Sequence, residues 1–454
     1  MSSQPPLERM QPQDSMWLQD RPENLMVVNA VYSLERIDLE TLSRLWNERV
    51  IGAGGGERYP RFTKRVVVRD GRAYWQQDPD FDLARHITEI PPEAGIDSRE
   101  KLQDFVGKMA AEPLPRDRPL WQMQLIPEFS PGVSAVAYRI HHCMGDGISM
   151  MPIIFSMIDQ DHPEIESFAN PPVQQVGAGR GGKSKLQVNL LASLAGPGVM
   201  LGKALALRDR SAFHGPPCSG EKRVAWTDPI PLDTVKAIKN ALGATVNDVL
   251  MACVLGAFQR VAETSGLPLK RLRVSMPVNV RWPDEPLLME NRFATVLLKL
   301  PAKIHGVRAR VMATKRRMDR LKRSPEPLVM FGAQNLLLHL LPSTIGRHLV
   351  DFFGNKTTCV LTNVPGPSVP LAIGGRRVHA LVFWVPQRDR IGIGISILSF
   401  NGEVRIGVIG DTAVLPDPGA LVDAFTAEVE ALRQTVEAGE SVEDEESPRS
   451  SLDP

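Results

Sequence analysis

The stretch with the most chemical potential spans residues 136–148, VAYRIHHCMGDGI, where an apolar run delivers two adjacent histidines followed by Asp146 and Gly147. Imidazole ionises near neutral pH, so histidines at a strand end can accept a proton, and a nearby carboxylate can orient the loop that holds them. Side chains alternate along a strand, which predicts Tyr138, Ile140 and His142 on one face and Arg139 with His141 on the other. The two histidines should therefore do different work. Asp146 also fits as the N-cap of a following helix, and Gly147 as a residue that lets the turn tighten. These residues alone leave a general base and a purely structural turn both open.

Other catalytic designs have little support. The chain has no GxSxG, HExxH or paired CxxC pattern, and no GxGxxG running from a strand into a helix. Residues 177–184, GAGRGGKS, match the phosphate-binding pattern GxxxxGK[ST]. A phosphate cradle needs a strand feeding its glycines, and the preceding NPPVQQV is loop-like, so nucleotide chemistry is rejected.

The elements that must position the histidine pair follow from length and patterning. At 454 residues, two domains are expected. The sequence is 43% hydrophobic and 23% charged with a formal net charge of +1, ordinary for a globular chain and without a global attraction to nucleic acid. Cys143, Cys218, Cys253 and Cys359 are scattered, which predicts reduced thiols and a cytoplasmic setting. The N-terminus lacks the basic and apolar regions of a signal peptide, and residues 190–207 are too interrupted for a spanning helix.

In chain order, Asp14 is predicted to cap a short helix over residues 14–25, with further helices at 38–50 and 99–111 and a hairpin turning at Asp70-Gly71. His86 is expected to be structural. Trp121 is expected to lie half-buried at the edge of its strand. A Pro-, Gly- and Lys-rich crossover at 166–220 separates a first domain, 1–165, from a second, 221–436. In the second, Thr245 to Asp248 has capping-box spacing, so Asn247 and Asp248 read first as helix-start residues. Strands are expected at 223–226, 272–276, 294–300, 358–362, 378–385, 392–400 and 404–410, with a basic helix at 305–322 and an apolar, proline-broken stretch at 328–353. Residues 437–454 form an acidic tail expected to be disordered.

With these residues in view, the sequence resembles the bacterial wax ester synthase/diacylglycerol acyltransferase family, part of the superfamily of chloramphenicol acetyltransferase and condensation domains. HHCMGDG at 141–147 matches HHxxxDG. The likeness continues in FDLARHI, RPLWQMQLI, GATVNDVLMA, PVNVR, NRFA and TNVPGP, over about residues 12 to 435. His141 and Asp146 also satisfy the HxxxxD pattern of other glycerolipid acyltransferases, but the companion EGT-type motif is absent. The resemblance implies a mixed or antiparallel α/β fold of two chloramphenicol-acetyltransferase-like domains with a tunnel between them. It also implies transfer of a long-chain acyl group from acyl-CoA, as co-substrate, to a diacylglycerol or fatty-alcohol hydroxyl. No bound cofactor or metal is expected.

By this likeness His142 is the general base, with His141 supporting, Asp146 orienting and Gly147 setting the loop. Arg281 of PVNVR would pair with Asp146, and Trp121 would line an acyl channel or pack. Lipid substrates imply contact with a membrane or lipid-droplet surface. The competing expectations are a catalytically silent neutral-lipid-binding protein and a condensation-type enzyme fed by a carrier protein.

Overall fold

The computed structural model describes residues 6–52, 59–159, 163, 211–214, 216–269, 272–281, 287–300, 302–324, 326–340, 352 and 355–439. Most of the expected crossover, the 177–184 pattern, the 190–207 stretch, part of 328–353 and nearly all of the acidic tail lie outside the described residues.

The first half contributes β1 (Leu7–Arg9), β2 (Val27–Glu35), β3 (Lys64–Arg69), β4 (Arg72–Gln77), β5 (Ile87–Glu89), β6 (Trp121–Ser130) and β7 (Val133–His141). The second contributes β8 (Lys222–Trp226), β9 (Ile230–Pro231), β10 (Leu272–Asn279), β11 (Phe293–Leu300), β12 (Cys359–Pro365), β13 (Ala372–Ile373), β14 (Arg376–Trp384), β15 (Ile393–Phe400) and β16 (Glu403–Asp411). Two mixed sheets dominate. One has the order β13-β14-β2-β7-β6-β5, the other β11-β10-β12-β15-β16-β8 with β9 added on β16; β1-β4-β3 form a small third sheet.

β7 is an interior strand, paired antiparallel with β2 and β6. Ala135, Val136 and Ala137 are all buried, because layers cover both faces and alternation gives way to a continuous apolar run. The β3-β4 hairpin turns through Asp70 and Gly71, both at positive φ, as its Asp-Gly sequence predicts.

The halves are interleaved. β14 pairs antiparallel with β2 in the first sheet, so residues 372–384 do not belong with the second-half sheet, as a single boundary near 220 would place them. The correction has a simple physical basis: β2 would otherwise be an open edge, and pairing it with β14 satisfies its backbone groups. Around this exchange, Val31, Ala135 and Leu102 pack with Val224, Val382, Trp384 and Ile409 in a core shared by both halves. Trp384 is fully buried there, and truncation of such a side chain typically costs about 3–5 kcal/mol.

Three local expectations need revision. Asp14 does not cap a helix over 14–25; the helix is only Pro12–Ser15, and the Asp14 carboxylate turns inward to full burial. Trp121 is 1% exposed, because β5 lies outside β6 and takes the edge. Its indole N–H donates to the Phe62 carbonyl at 2.9 Å, and its ring stacks on His86 at 4.4 Å. The tight backbone of the histidine turn falls on Gly145, where a Cβ would meet Met150 and Ser149. A Cβ on Gly147 would meet nothing within 4 Å, so Gly147 leaves space at the helix start rather than tightening the turn.

Candidate active site

β7 ends at His141, and His142–Met144 form a 3-10 turn, so strand alternation does not reach His142. The rings nevertheless diverge. His141 N–H donates to the Leu120 carbonyl and His142 N–H to the Met26 carbonyl, at 2.9 and 2.7 Å, which pins the backbone on both sides of the junction.

His141 is 1% exposed and has both ring nitrogens occupied. Nδ1 accepts from the Cys143 N–H at 3.2 Å, so Nε2 carries the proton and donates to Asp20 Oδ2 at 2.9 Å. Burial, then the Arg116 guanidinium, hold its pKa well below the ordinary histidine value. Asp20 also accepts from the Met26 N–H at 2.6 Å and pairs with Arg116. His141 is thus a structural link between β7 and the segment before β2.

His142 keeps part of its surface open. Its Nδ1 lies 2.9 Å from Asn291 Oδ1. The Asn291 amide can face only one way, because its Nδ2 donates to Asp14 Oδ1 at 2.9 Å and to the His142 carbonyl at 2.8 Å. Its oxygen therefore meets Nδ1, which must be the protonated nitrogen, leaving the Nε2 lone pair without a protein partner among the described residues. Trp17 stacks on the imidazole with centroids 3.9 Å apart and planes at 15°, and Phe293 flanks it at 5.8 Å. Burial pushes the His142 pKa down to about 4, opposed by smaller contributions that include Asp146 and the Asn291 bond. The ring is neutral at neutral pH.

Asp14 and Asn291 were not singled out in the sequence as site residues. Asp14 Oδ1 receives both the backbone and the side-chain N–H of Asn291, each at 2.9 Å, while Oδ2 pairs with Arg61 at 2.7 Å. Arg61 in turn donates to the carbonyls of Cys143 and Met144 at 3.3 and 3.1 Å. One buried carboxylate thus fixes both the amide that orients His142 and, through Arg61, the turn that carries it. The available signal was the pairing of an acidic residue near the start with NRFA in the second half; neither stands near the histidines in sequence.

Asp146 caps the helix Gly147–Ser156, accepting from the Ser149 N–H at 2.9 Å through Oδ1. Oδ2 accepts from the Arg292 N–H at 2.7 Å and pairs with Arg281 at 2.9 Å, with both side chains almost fully buried. Arg281 is steadied by Asn279 Oδ1 and by the Glu290 carbonyl. The aspartate therefore serves the helix start and the second half together. Asn247 and Asp248 lie elsewhere. Thr245 and Asp248 make both capping-box bonds at the start of the helix Val246–Thr264, and Asn363 of β12 donates to Asn247 Oδ1 at 2.9 Å. Among the described residues neither bonds to a histidine. Trp121 belongs to the first-half core with Trp46, Phe62 and His86.

His142 thus sits at the junction of two interleaved sheet-bearing halves, and solved structures share the fold. A wax ester synthase/diacylglycerol acyltransferase from Marinobacter aquaeolei VT8 superposes with a TM-score of 0.68 at 20% identity, covering 95% of this chain and 100% of that one. The first condensation domain of the calcium-dependent antibiotic synthetase superposes with a TM-score of 0.60 at 16% identity, covering 96% and 97%. The wax ester synthase/diacylglycerol acyltransferase catalytic domain matches residues 10–250, and the WS/DGAT C-terminal domain matches residues 289–433. The chain belongs to the wax ester synthase/diacylglycerol acyltransferase family. A relative from Mycobacterium tuberculosis named as a probable diacylglycerol O-acyltransferase is 28% identical over 389 residues, which are 80% of this chain and 82% of that one.

Proposed function

We propose that this protein is an acyl-CoA-dependent O-acyltransferase that esterifies diacylglycerol, a long-chain fatty alcohol, or both, with His142 as general base. The observation that carries this reading is the contrast between the histidines: His141 is buried with both nitrogens bonded, whereas His142 is partly open and, among the described residues, bonded through Nδ1 alone.

Nε2 of His142 takes the acceptor hydroxyl proton as that oxygen attacks the thioester carbonyl. The tetrahedral oxyanion then collapses, the C–S bond breaks, and the imidazolium returns its proton to the CoA thiolate. No acyl-enzyme forms. Asn291 holds the reactive tautomer, and Asp146 with Arg281 holds the loop. The backbone N–H groups of Asp146 and Gly147, or Asn279, are the proposed oxyanion donors. A positioned base typically contributes about 10² to 10⁴ in rate, so alignment and oxyanion stabilisation supply the rest.

Substrates of this kind place the work at a lipid surface, a membrane or a droplet, facing the cytoplasm. Among the described residues no single helix is long and apolar enough to cross a membrane. The test is incubation of the purified chain with labelled palmitoyl-CoA and either diacylglycerol or hexadecanol. Labelled ester and released CoA are expected; if neither acceptor is esterified, the assignment fails. A silent lipid-binding protein would bind the lipids without turnover, and a condensation-type enzyme would require a carrier-bound thioester.

A further inference from the structure

The helix Val307–Arg323 carries eight arginines and lysines against one acid, Asp319, in a chain whose formal net charge is only +1. Its inner face is ordinary: Val311, Ala313, Thr314 and Met318 are buried, and Arg310 is neutralised by Glu428. The outer face is not. Arg316, Arg320, Lys322 and Arg323 are exposed and none makes an ion pair among the described residues; the one acid of the helix, Asp319, pairs with Lys315 at 3.0 Å and is left to offset Lys322 and Arg323 only at longer range. Arg316, Arg320 and Arg323 stand four and three residues apart, so they form one stripe about 10 Å long.

Like charges at this spacing oppose helix formation. Burial first, and then the neighbouring Arg320 and Arg316, push the Arg317 guanidinium pKa down. A solvated helix needs no such crowding, whereas an extended anionic surface relieves it. The stripe is open and convex on the helix exterior, so it suits an array of headgroups better than one enclosed phosphate. The next helix, Glu326–Leu340, is apolar, packs against β11, and brings Gln334 within 3.3 Å of Met16 Sδ, beside the Trp17 that stacks on His142. The charged face is thereby joined to the site by an apolar element.

We propose that Arg316, Arg320, Lys322 and Arg323 dock the protein on the anionic headgroups of a lipid bilayer. The proposal rests on the reading of the substrates as lipids, yet its test needs no turnover. The full chain is cosedimented with phosphatidylcholine vesicles, with and without phosphatidylglycerol, at low and high salt. Binding should require phosphatidylglycerol and fall with salt. Each surface cation is worth roughly fivefold, so the combined Arg316→Gln, Arg320→Gln and Arg323→Gln variant should bind about a hundredfold more weakly. Its melting temperature should hold or rise slightly as the like-charge repulsion is relieved, and its activity on short-chain, water-soluble substrates should stay unchanged. Wild-type binding to phosphatidylcholine alone at equal strength, or equal binding by the variant, would overturn the proposal. So would binding to DNA as tight as to the anionic vesicles. Failure of catalysis with intact vesicle binding would instead refute only the enzymatic reading.

Discussion

Replacing Asn291 with alanine isolates the contact that makes His142 a directed base. The substitution removes the acceptor 2.9 Å from Nδ1 and the donor to the His142 carbonyl, while Asp14 keeps the backbone N–H of residue 291 and its Arg61 partner. One neutral hydrogen bond contributes about 1–1.5 kcal/mol, which corresponds to roughly tenfold in the population of the correct tautomer. Added freedom of the ring should enlarge the loss, with about 10⁴ as the ceiling set by complete loss of base catalysis. We therefore expect kcat to fall between about tenfold and a hundredfold, with little change in the KM for acyl-CoA. Loss of the side-chain bond to buried Asp14 adds a stability cost of about 2 kcal/mol. The assay is continuous detection of the CoA thiol at saturating acyl-CoA, paired with a thermal melt. A folded variant whose kcat stays within twofold of wild type would refute the tautomer argument.

Arg281→Ala leaves the Asp146 carboxylate buried with two backbone donors but no cation, and should cost about 3 kcal/mol of stability and lower kcat; an unchanged melt with full activity removes Arg281 from the site. With the His142 pKa near 4, the rate should hold down to about pH 5 and fall only as the pH approaches 4; an acid limb near 6.5 in the pH–rate profile contradicts the buried, neutral ring. The linked stability effect has a definite sign. The unfolded histidine takes up a proton below about 6.5 while the folded one resists until about 4, so stability should fall as pH drops through that window; urea unfolding at several pH values measures it. His141, also held below the ordinary value, adds in the same direction. Thr245→Ala should cost about 1 kcal/mol through loss of the helix cap and leave kcat unchanged, which a melt and the thiol assay will show together.

Local chemistry in this chain was readable from sequence wherever neighbours in sequence decide it. The Asp-Gly hairpin, the Thr245 capping box, the Asp146 N-cap and most strand positions follow from propensity and spacing. The exchange of β14 was not readable, because which strand covers β2 depends on long-range pairing. Trp121 was misjudged for the same reason: its exposure is set by β5, a three-residue strand without a clear pattern. Asp14 shows the limit most clearly. Its position looked like a helix cap, but a carboxylate that meets Asn291, 277 residues away, leaves no local trace.

The central claim is that Nε2 of His142, and not His141, removes the acceptor proton. Single-turnover acyl transfer from labelled acyl-CoA by His142→Ala and by wild type, each checked by thermal melt, tests it most directly. A folded His142→Ala protein should bind acyl-CoA normally and transfer the acyl group at least a hundredfold more slowly, without a covalent acyl-protein species in either case. Transfer by that variant at the wild-type rate, or a trapped acyl-enzyme on the wild type, would contradict the account.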